Sequence, residues 1–495
     1  MNIEKSYLNE NSLYSAFKAK DARFDGKYVV GISSTKIYCR MICKAKLPKQ
    51  ENCTFYLTPA EAEKAGYRPC LLCRPELAPG MAKIDSTANL AYWTAKMLEE
   101  NCSDDINLEK IAKKLGYTDR HVRRAFAAEY SVSPIEYLQT YRLLLAKNLL
   151  TDTSLSVLDT AMAAGFGSVR RFNELFKKHY NLSPTGLRKR TKESNGKKSE
   201  ITLLLGYRPP YDWEKLLMFF NARSINGVEL VKNGEYMRVV QMVTAKGGKI
   251  HGLIRVGHKP EKNSLAVTIS ESLLPVLPQV LIRIRRLFDL YCDPYTVYET
   301  LSKMNDIQQG LCVLGTRVPG CFDVFEMSVR AILGQQITVK AASTLVTRIV
   351  QTYGTPIKTG IDELTHVFPT AKNFLDMGEL IKDNLGKLGV TAARSNTIFE
   401  LSKAVVNKEI DFANIQPHEE IKKLTSIKGI GSWTANYLAM RAMEWTDAFL
   451  ETDVGVRNAL PKYTPKEVLA LAEQWRPWRS YAVLNLWNSL YKGEK

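Results

Sequence analysis

Two periodicities organise the chain. Residues 201–205, 236–243, 250–256 and 266–269 are rich in β-branched side chains and partly alternate apolar with polar positions, which predicts strands. Residues 280–290 repeat their apolar side chains at helical spacing. A small α+β region at 201–290 is therefore followed by a helical remainder, 291–495. Residues 86–190 are also helical by pattern, and they repeat. Phe126, Tyr130 and Ser133-Pro134 recur fifty positions on at Phe176, Tyr180 and Ser183-Pro184, after a Gly-aromatic pair at Gly116-Tyr117 and again at Gly165-Phe166. Residues 189–200 contain no apolar side chain and read as a linker, centred on 191–200.

A chain of 495 residues exceeds what one core usually serves, so three or four domains are expected. The net charge is +18, and residues 1–200 supply +11 of it, with 33 Lys and Arg against 22 Asp and Glu. Both halves are thus basic, as binding to a polyanion requires. Within the repeat, the second helix of each unit carries the charge: Arg120, His121, Arg123 and Arg124, then Arg170, Arg171, Lys177 and Lys178. Two helix-turn-helix units would place such helices in successive major grooves of DNA. The plainer reading is a pair of helical hairpins with solvated basic faces. No apolar run reaches membrane-span length and the first residues lack a signal-peptide pattern, so a cytoplasmic protein is expected.

Nine cysteines are present. Cys39-x3-Cys43 and Cys70-x2-Cys73 are separated by 26 residues, a tetrahedral zinc signature within a region, 1–80, that holds few large apolar side chains. A closed four-cysteine site is ordinarily structural. Cys53, Cys102, Cys292, Cys312 and Cys321 lack metal-ligand spacing.

In the C-terminal region, Gly429-Ile430-Gly431 lies between helical patterns at 421–425 and 433–443. Such a pair of glycines permits a tight turn, and a helix starting just after it points unpaired N–H groups outward, as a phosphate needs. Taken alone, this is an ordinary helix-helix turn. However, Asp453 follows Gly431 by twenty-two residues, and Trp433, Tyr437, Trp475, Trp478 and Trp487 flank the span. A carboxylate near a sugar C1′ stabilises an oxocarbenium-like transition state, and flat rings stack on an extruded base.

Three resemblances sharpen these readings. Ser33 to Arg40 and Ala65 to Pro75 resemble the N-terminal domain of the Ada adaptive-response proteins. That likeness implies one zinc ion on Cys39, Cys43, Cys70 and Cys73, with Cys39 also the nucleophile that takes a methyl group from a DNA methylphosphotriester. Leu72 and Lys46 stand where those relatives often have Arg. Residues 86–190 resemble the AraC-type DNA-binding domain, which implies DNA contacts by Arg120, Arg123, Arg124, Arg170 and Arg171 and RNA polymerase as a partner. Residues 201–490 resemble the AlkA-type 3-methyladenine DNA glycosylases of the helix-hairpin-helix superfamily through Pro209-Pro210-Tyr211-Asp212-Trp213, Arg330 to Gln335, the hairpin and Trp475 to Ala482.

This last resemblance implies Asp453 as the catalytic carboxylate, and Trp433, Tyr437 and Trp487 as the base pocket. Gly429 and Gly431 would lie at the DNA phosphate, Gln336 would be the inserted wedge, and the carbonyls of Thr425, Ile427 and Ile430 would hold a monovalent cation. Trp433 stands where bifunctional relatives place a Schiff-base Lys, which implies a glycosylase without lyase chemistry. Some members carry an apolar wedge instead of Gln. No Pro-Cys-His-Arg motif of an O6-alkylguanine methyltransferase occurs.

The expected fold is multidomain and mainly α: a small zinc domain (1–80), an AraC-type double helix-turn-helix (86–190), the linker (191–200), an α+β, TBP-like subdomain (201–290) and a helix-hairpin-helix bundle (291–495). The expected function is repair of alkylated double-stranded DNA by base release, joined to methyl transfer that switches a transcription activator, in a monomer associated with a bacterial nucleoid. Two alternatives stand beside it. One is a transcription regulator whose C-terminal half binds lesions without turnover, and the other is a damage-independent regulator with a purely structural zinc.

Overall fold

The structure, a computed structural model, describes residues 10–78, 89–103, 106–192, 201–244, 247–412 and 417–490. It divides into two compact units: Met1–Pro209 with Thr244–Gly248 and Lys259–Ile282, and Pro210–Val243 with Lys249–His258 and Arg283–Lys495. The helix Pro184–Lys192 occupies the first part of the expected linker, and 193–200 lie outside the described residues. No described helix is long and apolar enough to cross a membrane.

In the first unit, four short strands form a sheet in the order Cys53–Tyr56, Val29–Ile32, Ile37–Arg40, Arg68–Pro69. The last two run parallel, with Ile37 beside Arg68 and Tyr38 beside Pro69. That register sets Cys39 next to Cys70, and the amide of Cys70 donates to the Tyr38 carbonyl at 2.9 Å. Two cysteine pairs far apart in sequence meet because two strands pair.

The repeat folds as two helix-turn-helix units, Leu108–Lys114 with Asp119–Tyr130 and Val157–Ala163 with Val169–Tyr180. Their second helices bury equivalent side chains every fourth residue: Val122, Phe126 and Tyr130, then Phe172 and Phe176 with Tyr180. The intervening arginines consequently face outward. Thr118 and Ser168 cap these helices by accepting the amides of His121 and Arg171. Gly165 has φ +86°, and a Cβ there would lie 1.9 Å from the Cys102 carbonyl oxygen, so the turn admits only glycine.

The long helix Pro134–Asp152, opened by a Ser133/Glu136 capping box, joins the two units and meets the zinc-domain fold along a row of buried polar contacts. Lys147 donates to Glu76 Oε2 at 2.5 Å, with both side chains 2% exposed. Arg74, one residue past Cys73, donates to Glu76 at 3.0 Å and to Asp152 at 2.7 and 2.9 Å. Glu63 takes Tyr38 Oη at 3.1 Å and Thr140 Oγ1 at 3.0 Å, and it lies 3.3 Å from His179. A charge of either sign is left in low dielectric if its partner is removed.

In the remainder of this unit, Ile201–Gly206 pairs antiparallel with Ser264–Ile269. In the second unit Glu235–Val243 pairs with Lys249–Lys259 and with Glu229–Lys232. Glu229–Lys232 is a strand that the hydrophobic pattern does not signal, since four residues between turns hold too little periodicity to read. The helical core of the second unit includes Trp475 (1% exposed) and Trp478 (4%), so these two flanking aromatics serve packing.

Glu76→Gln keeps the side-chain shape but leaves Lys147 without its counter-charge. It is expected to destabilise the N-terminal unit by about 3 kcal/mol, seen in calorimetry of the full chain as a downward shift of one transition.

Candidate functional sites

The sulfur-ligand atoms of Cys39, Cys43, Cys70 and Cys73 all lie within 4.8 Å of one another. A tetrahedral zinc with Zn–S near 2.3 Å spaces its sulfurs by about 3.8 Å, so the four thiols fit that ion with small adjustment. They hold zinc as four thiolates. The other five cysteines are not part of this group, although Cys53 packs in the same small core as Cys39, Cys43 and Cys70.

The four sulfurs differ in their hydrogen bonds. Cys73 Sγ accepts the Arg40 amide at 3.3 Å, Cys70 is lowered by the other thiols and then by a backbone bond from Cys73, and Cys43 accepts one from Ala45. The contacts that raise Cys39 are with Cys43, Cys70 and Cys73. Cys39 itself is only 2% exposed. Arg40 is held beside it by the buried Asp25, whose carboxylate it contacts through Nε at 3.0 and 3.2 Å.

Arg120, Arg123, Arg124, Arg170 and Arg171 are exposed on the second helices of the two helix-turn-helix units. Arg123 pairs with Asp119 at 2.7 Å and Arg170 with Glu174 at 3.1 Å, both contacts within one helix. Exposed pairs of this kind are weak and open readily to a phosphate.

In the second unit, Asp453 is the N-cap of the short helix Val454–Ala459, accepting the Val456 amide on Oδ1 at 3.0 Å. Trp487 Nε1 donates to the same oxygen at 2.8 Å, and Trp433 Nε1 donates to Oδ2 at 3.0 Å. Three donors from three elements thus fix one carboxylate. Gly455 makes room for this, because a Cβ there would meet Trp487 Cδ1 at 2.7 Å.

Trp433 and Tyr437 stack one turn apart on the helix Ser432–Arg441, with ring centroids 5.2 Å apart and an interplanar angle of 7°. Trp487 lies 6.5 Å from Tyr437. All four sequence-predicted residues line one cavity of about 550 Å³.

The cavity also holds groups that the sequence did not signal. Arg441 is buried and donates to Tyr437 Oη at 2.7 Å, to the Gly320 carbonyl at 3.0 Å and to that of Pro319. Arg223 lies 3.8 Å over the Phe219 ring. Behind them, Arg238 and Arg330 share Glu229 and Glu326, at separations from 2.7 to 3.2 Å. Arg330 stands within a motif already noted, whereas Phe219 and Arg223 lie in an ordinary amphipathic helix pattern, Trp213–Asn221 and the turn after it.

The Pro209-Pro210-Tyr211-Asp212-Trp213 and Trp475 to Ala482 motifs turn out to be braces. Asp212 caps its helix, Tyr211 Oη donates to the Phe288 carbonyl at 2.7 Å, and Arg479 clasps Asp447 at 2.7 Å on the segment leading to Asp453.

The hairpin joins the helices Pro417–Ser426 and Ser432–Arg441. Gly429 has φ +97°, and a Cβ on it would lie 2.1 Å from Thr397 Oγ1, so this position needs glycine twice over. Gly431 is exposed and is the N-cap of the second helix, whose first amides receive no side-chain cap from it. Of the three carbonyls implied to hold a monovalent cation, that of Ile427 accepts the Ile430 amide at 3.0 Å. Gln336 is exposed, with φ +56°, in the turn between the helices Val324–Leu333 and Val339–Tyr353.

Four family models match the chain. They are the metal binding domain of Ada at 12–76, a helix-turn-helix domain at 111–190, the AlkA N-terminal domain at 202–323 and the HhH-GPD superfamily base excision DNA repair protein at 329–468. A Mycobacterium tuberculosis protein named "Probable bifunctional transcriptional activator/DNA repair enzyme AlkA" is 32% identical over 487 residues, covering 96% of each chain. DNA-3-methyladenine glycosylase 2 of Escherichia coli is 34% identical over 284 residues, 57% of this chain and 95% of that protein. The bifunctional transcriptional activator/DNA repair enzyme AdaA of Bacillus subtilis is 27% identical over 181 residues, 36% of this chain and 82% of that one.

Cys70→Ser removes a ligand whose strand pairing builds the cluster. Zinc content, measured on the purified chain by metal analysis, is expected to fall from about one ion per chain to near zero, with a lower melting temperature for the N-terminal unit.

Proposed function

The chain belongs to the family of bifunctional transcriptional activator/DNA repair proteins that unite an Ada-type metal domain and a helix-turn-helix with an AlkA-type glycosylase, and on that premise we propose which residues carry each activity. It is a DNA-3-methyladenine glycosylase and a stoichiometric methyl acceptor. The observation that carries the assignment of the first activity is the carboxylate of Asp453, held by two indole N–H groups at the edge of an aromatic cavity.

An alkylated base such as 3-methyladenine carries positive charge and so is already a good leaving group. Turned out of the helix, it stacks against Trp433 and Tyr437, whose electron-rich faces favour a cation. Its N-glycosidic bond breaks as the electron pair passes to the base, positive charge develops at C1′, and Asp453 stabilises that charge and orients the water that adds there. The water's proton is lost to solvent, leaving an abasic site and a free neutral base. Trp433 cannot form a Schiff base, so the strand stays uncut. The amides that follow Gly431 grip a backbone phosphate, Gln336 fills the space left by the base, and the hairpin carbonyls hold a monovalent cation beside that phosphate.

At the other site zinc keeps its ligand sulfurs as thiolates at neutral pH. Cys39 attacks the methyl carbon of a methylphosphotriester. The new S–C bond forms as the C–O bond breaks, and a phosphodiester anion leaves. With zinc held by Cys39, Cys43, Cys70 and Cys73, methylation of Cys39 would remove one negative charge from the four sulfurs and so would strengthen attraction to phosphate. Damage becomes a signal for the helix-turn-helix units, read on promoter DNA through Arg120, Arg123, Arg124, Arg170 and Arg171. RNA polymerase is the partner such activation needs, and a cytoplasmic, nucleoid-associated monomer is the form that fits both tasks.

Asp453→Asn keeps the side-chain shape and can keep an oxygen for Trp487 Nε1 and the Val456 amide, while its NH2 no longer accepts from Trp433 Nε1. It is expected to abolish release of 3-methyladenine from methylated duplex DNA, by at least ~10³-fold, with an unchanged melting curve. Base release by the variant at the wild-type rate would overturn the assignment. Cys39→Ala should independently stop transfer of radiolabelled methyl from methylphosphotriester DNA while base release continues.

A further inference from the structure

We infer that Gln335 is a positioning residue that couples the grip of the hairpin on the DNA backbone to the seating of Gln336 in the base stack. The inference rests on the reading of Gln336 as wedge and of the hairpin as phosphate contact.

The helix Val324–Leu333 ends at Gly334, and the next two residues make the turn. Gln336 takes a left-handed backbone, φ +56°, that a non-glycine residue adopts at a cost, so the surroundings must hold it. They do so through Gln335. Its Nε2 donates to the Gly429 carbonyl at 2.9 Å and to Thr434 Oγ1 at 3.0 Å, one contact on each side of Gly431. A primary amide nitrogen has two hydrogens. Both are therefore spent on the hairpin, and Gln335 cannot offer them to a base.

A third element closes the arrangement. The helix Ala392–Val406 sends Arg394 to the Gln335 carbonyl and, one turn on, Thr397 Oγ1 to the Lys428 carbonyl at 2.9 Å. The wedge turn and the hairpin thus share one brace as well as a direct bond. A Cβ on Gly429 would collide with Thr397 Oγ1, so the hairpin turn lies directly against this helix. When the amides after Gly431 settle on a phosphate, the position of Gln336 relative to that phosphate is already fixed.

This arrangement matters only when a paired base has to be displaced. Its loss should slow release of a base that must be unpaired and spare one that has no pairing partner. The test uses the full chain and duplexes carrying a single 7-methylguanine, opposite either cytosine or an abasic-site analogue, in single-turnover base release. Gln335→Glu keeps the side-chain shape and sets an acceptor against the Gly429 carbonyl. Thr434→Val removes one acceptor from the other side and guards against a failure of the first variant to fold.

Gln335→Glu is expected to slow release opposite cytosine by about 10- to 100-fold yet stay within about threefold of wild type opposite the abasic analogue. Thr434→Val should show the same pattern with a smaller loss, and Gln336→Ala should show it in full. Equal slowing on both duplexes would make Gln335 a general support and overturn the inference, as would a wild-type rate on both. If Gln336→Ala shows the pairing-dependent loss while Gln335→Glu and Thr434→Val do not, only the coupling fails. If Gln336→Ala matches wild type on both duplexes, the wedge reading fails and takes the coupling with it.

Discussion

The catalytic half is organised by the need to hold one carboxylate still. Asp453 receives Trp433 from the helix after the hairpin, Trp487 from the C-terminal helix and the Val456 amide from its own. Each of these donors also belongs to something else: Trp433 to the stack with Tyr437, Trp487 to the cavity wall, Val456 to a buried helix face. The carboxylate cannot move without disturbing the cavity, and the cavity cannot open without releasing the carboxylate. In the role proposed for Asp453, preorganisation of this kind removes reorganisation from the chemical step.

The first unit meets a different requirement by a similar device. A zinc cluster is assembled by strand register, and the residues beside its ligands lead directly into ion pairs with the long helix Pro134–Asp152. Arg74 follows Cys73 in sequence and reaches Asp152 and Asn148, while Arg40 follows Cys39 and is held by Asp25. Polar contacts buried on this scale add little net stability over apolar packing, but they tolerate only one relative placement of the two parts.

Much of this was legible in the sequence because it depends on local spacing. Two cysteine pairs, a fifty-residue repeat and two glycines before an aromatic helix each specify their own geometry over a few residues. The family likeness implied Asp453, Trp433, Tyr437 and Trp487 as one site, and the structure brings the four together around one cavity. What sequence could not show lies in tertiary contacts. Phe219 and Arg223 reach the cavity from a helix whose pattern reads as ordinary amphipathic surface. Trp475 and Trp478 look like pocket aromatics by position and are core by packing. Gln335 lies in a recognisable motif, but its two hydrogen bonds span about a hundred residues of chain, a separation no local pattern encodes.

Glu63 takes contacts from Tyr38 of the sheet, from Thr140 of the long helix and from His179 of the second helix-turn-helix unit. One buried acid is thereby common to the metal fold, the joining helix and the second helix-turn-helix unit. Inheritance should respect that sharing: recombination that exchanged the metal fold alone would strand a charge on one side of the new junction. The segment from Glu10 to Lys192 is therefore expected to tolerate exchange only as a block.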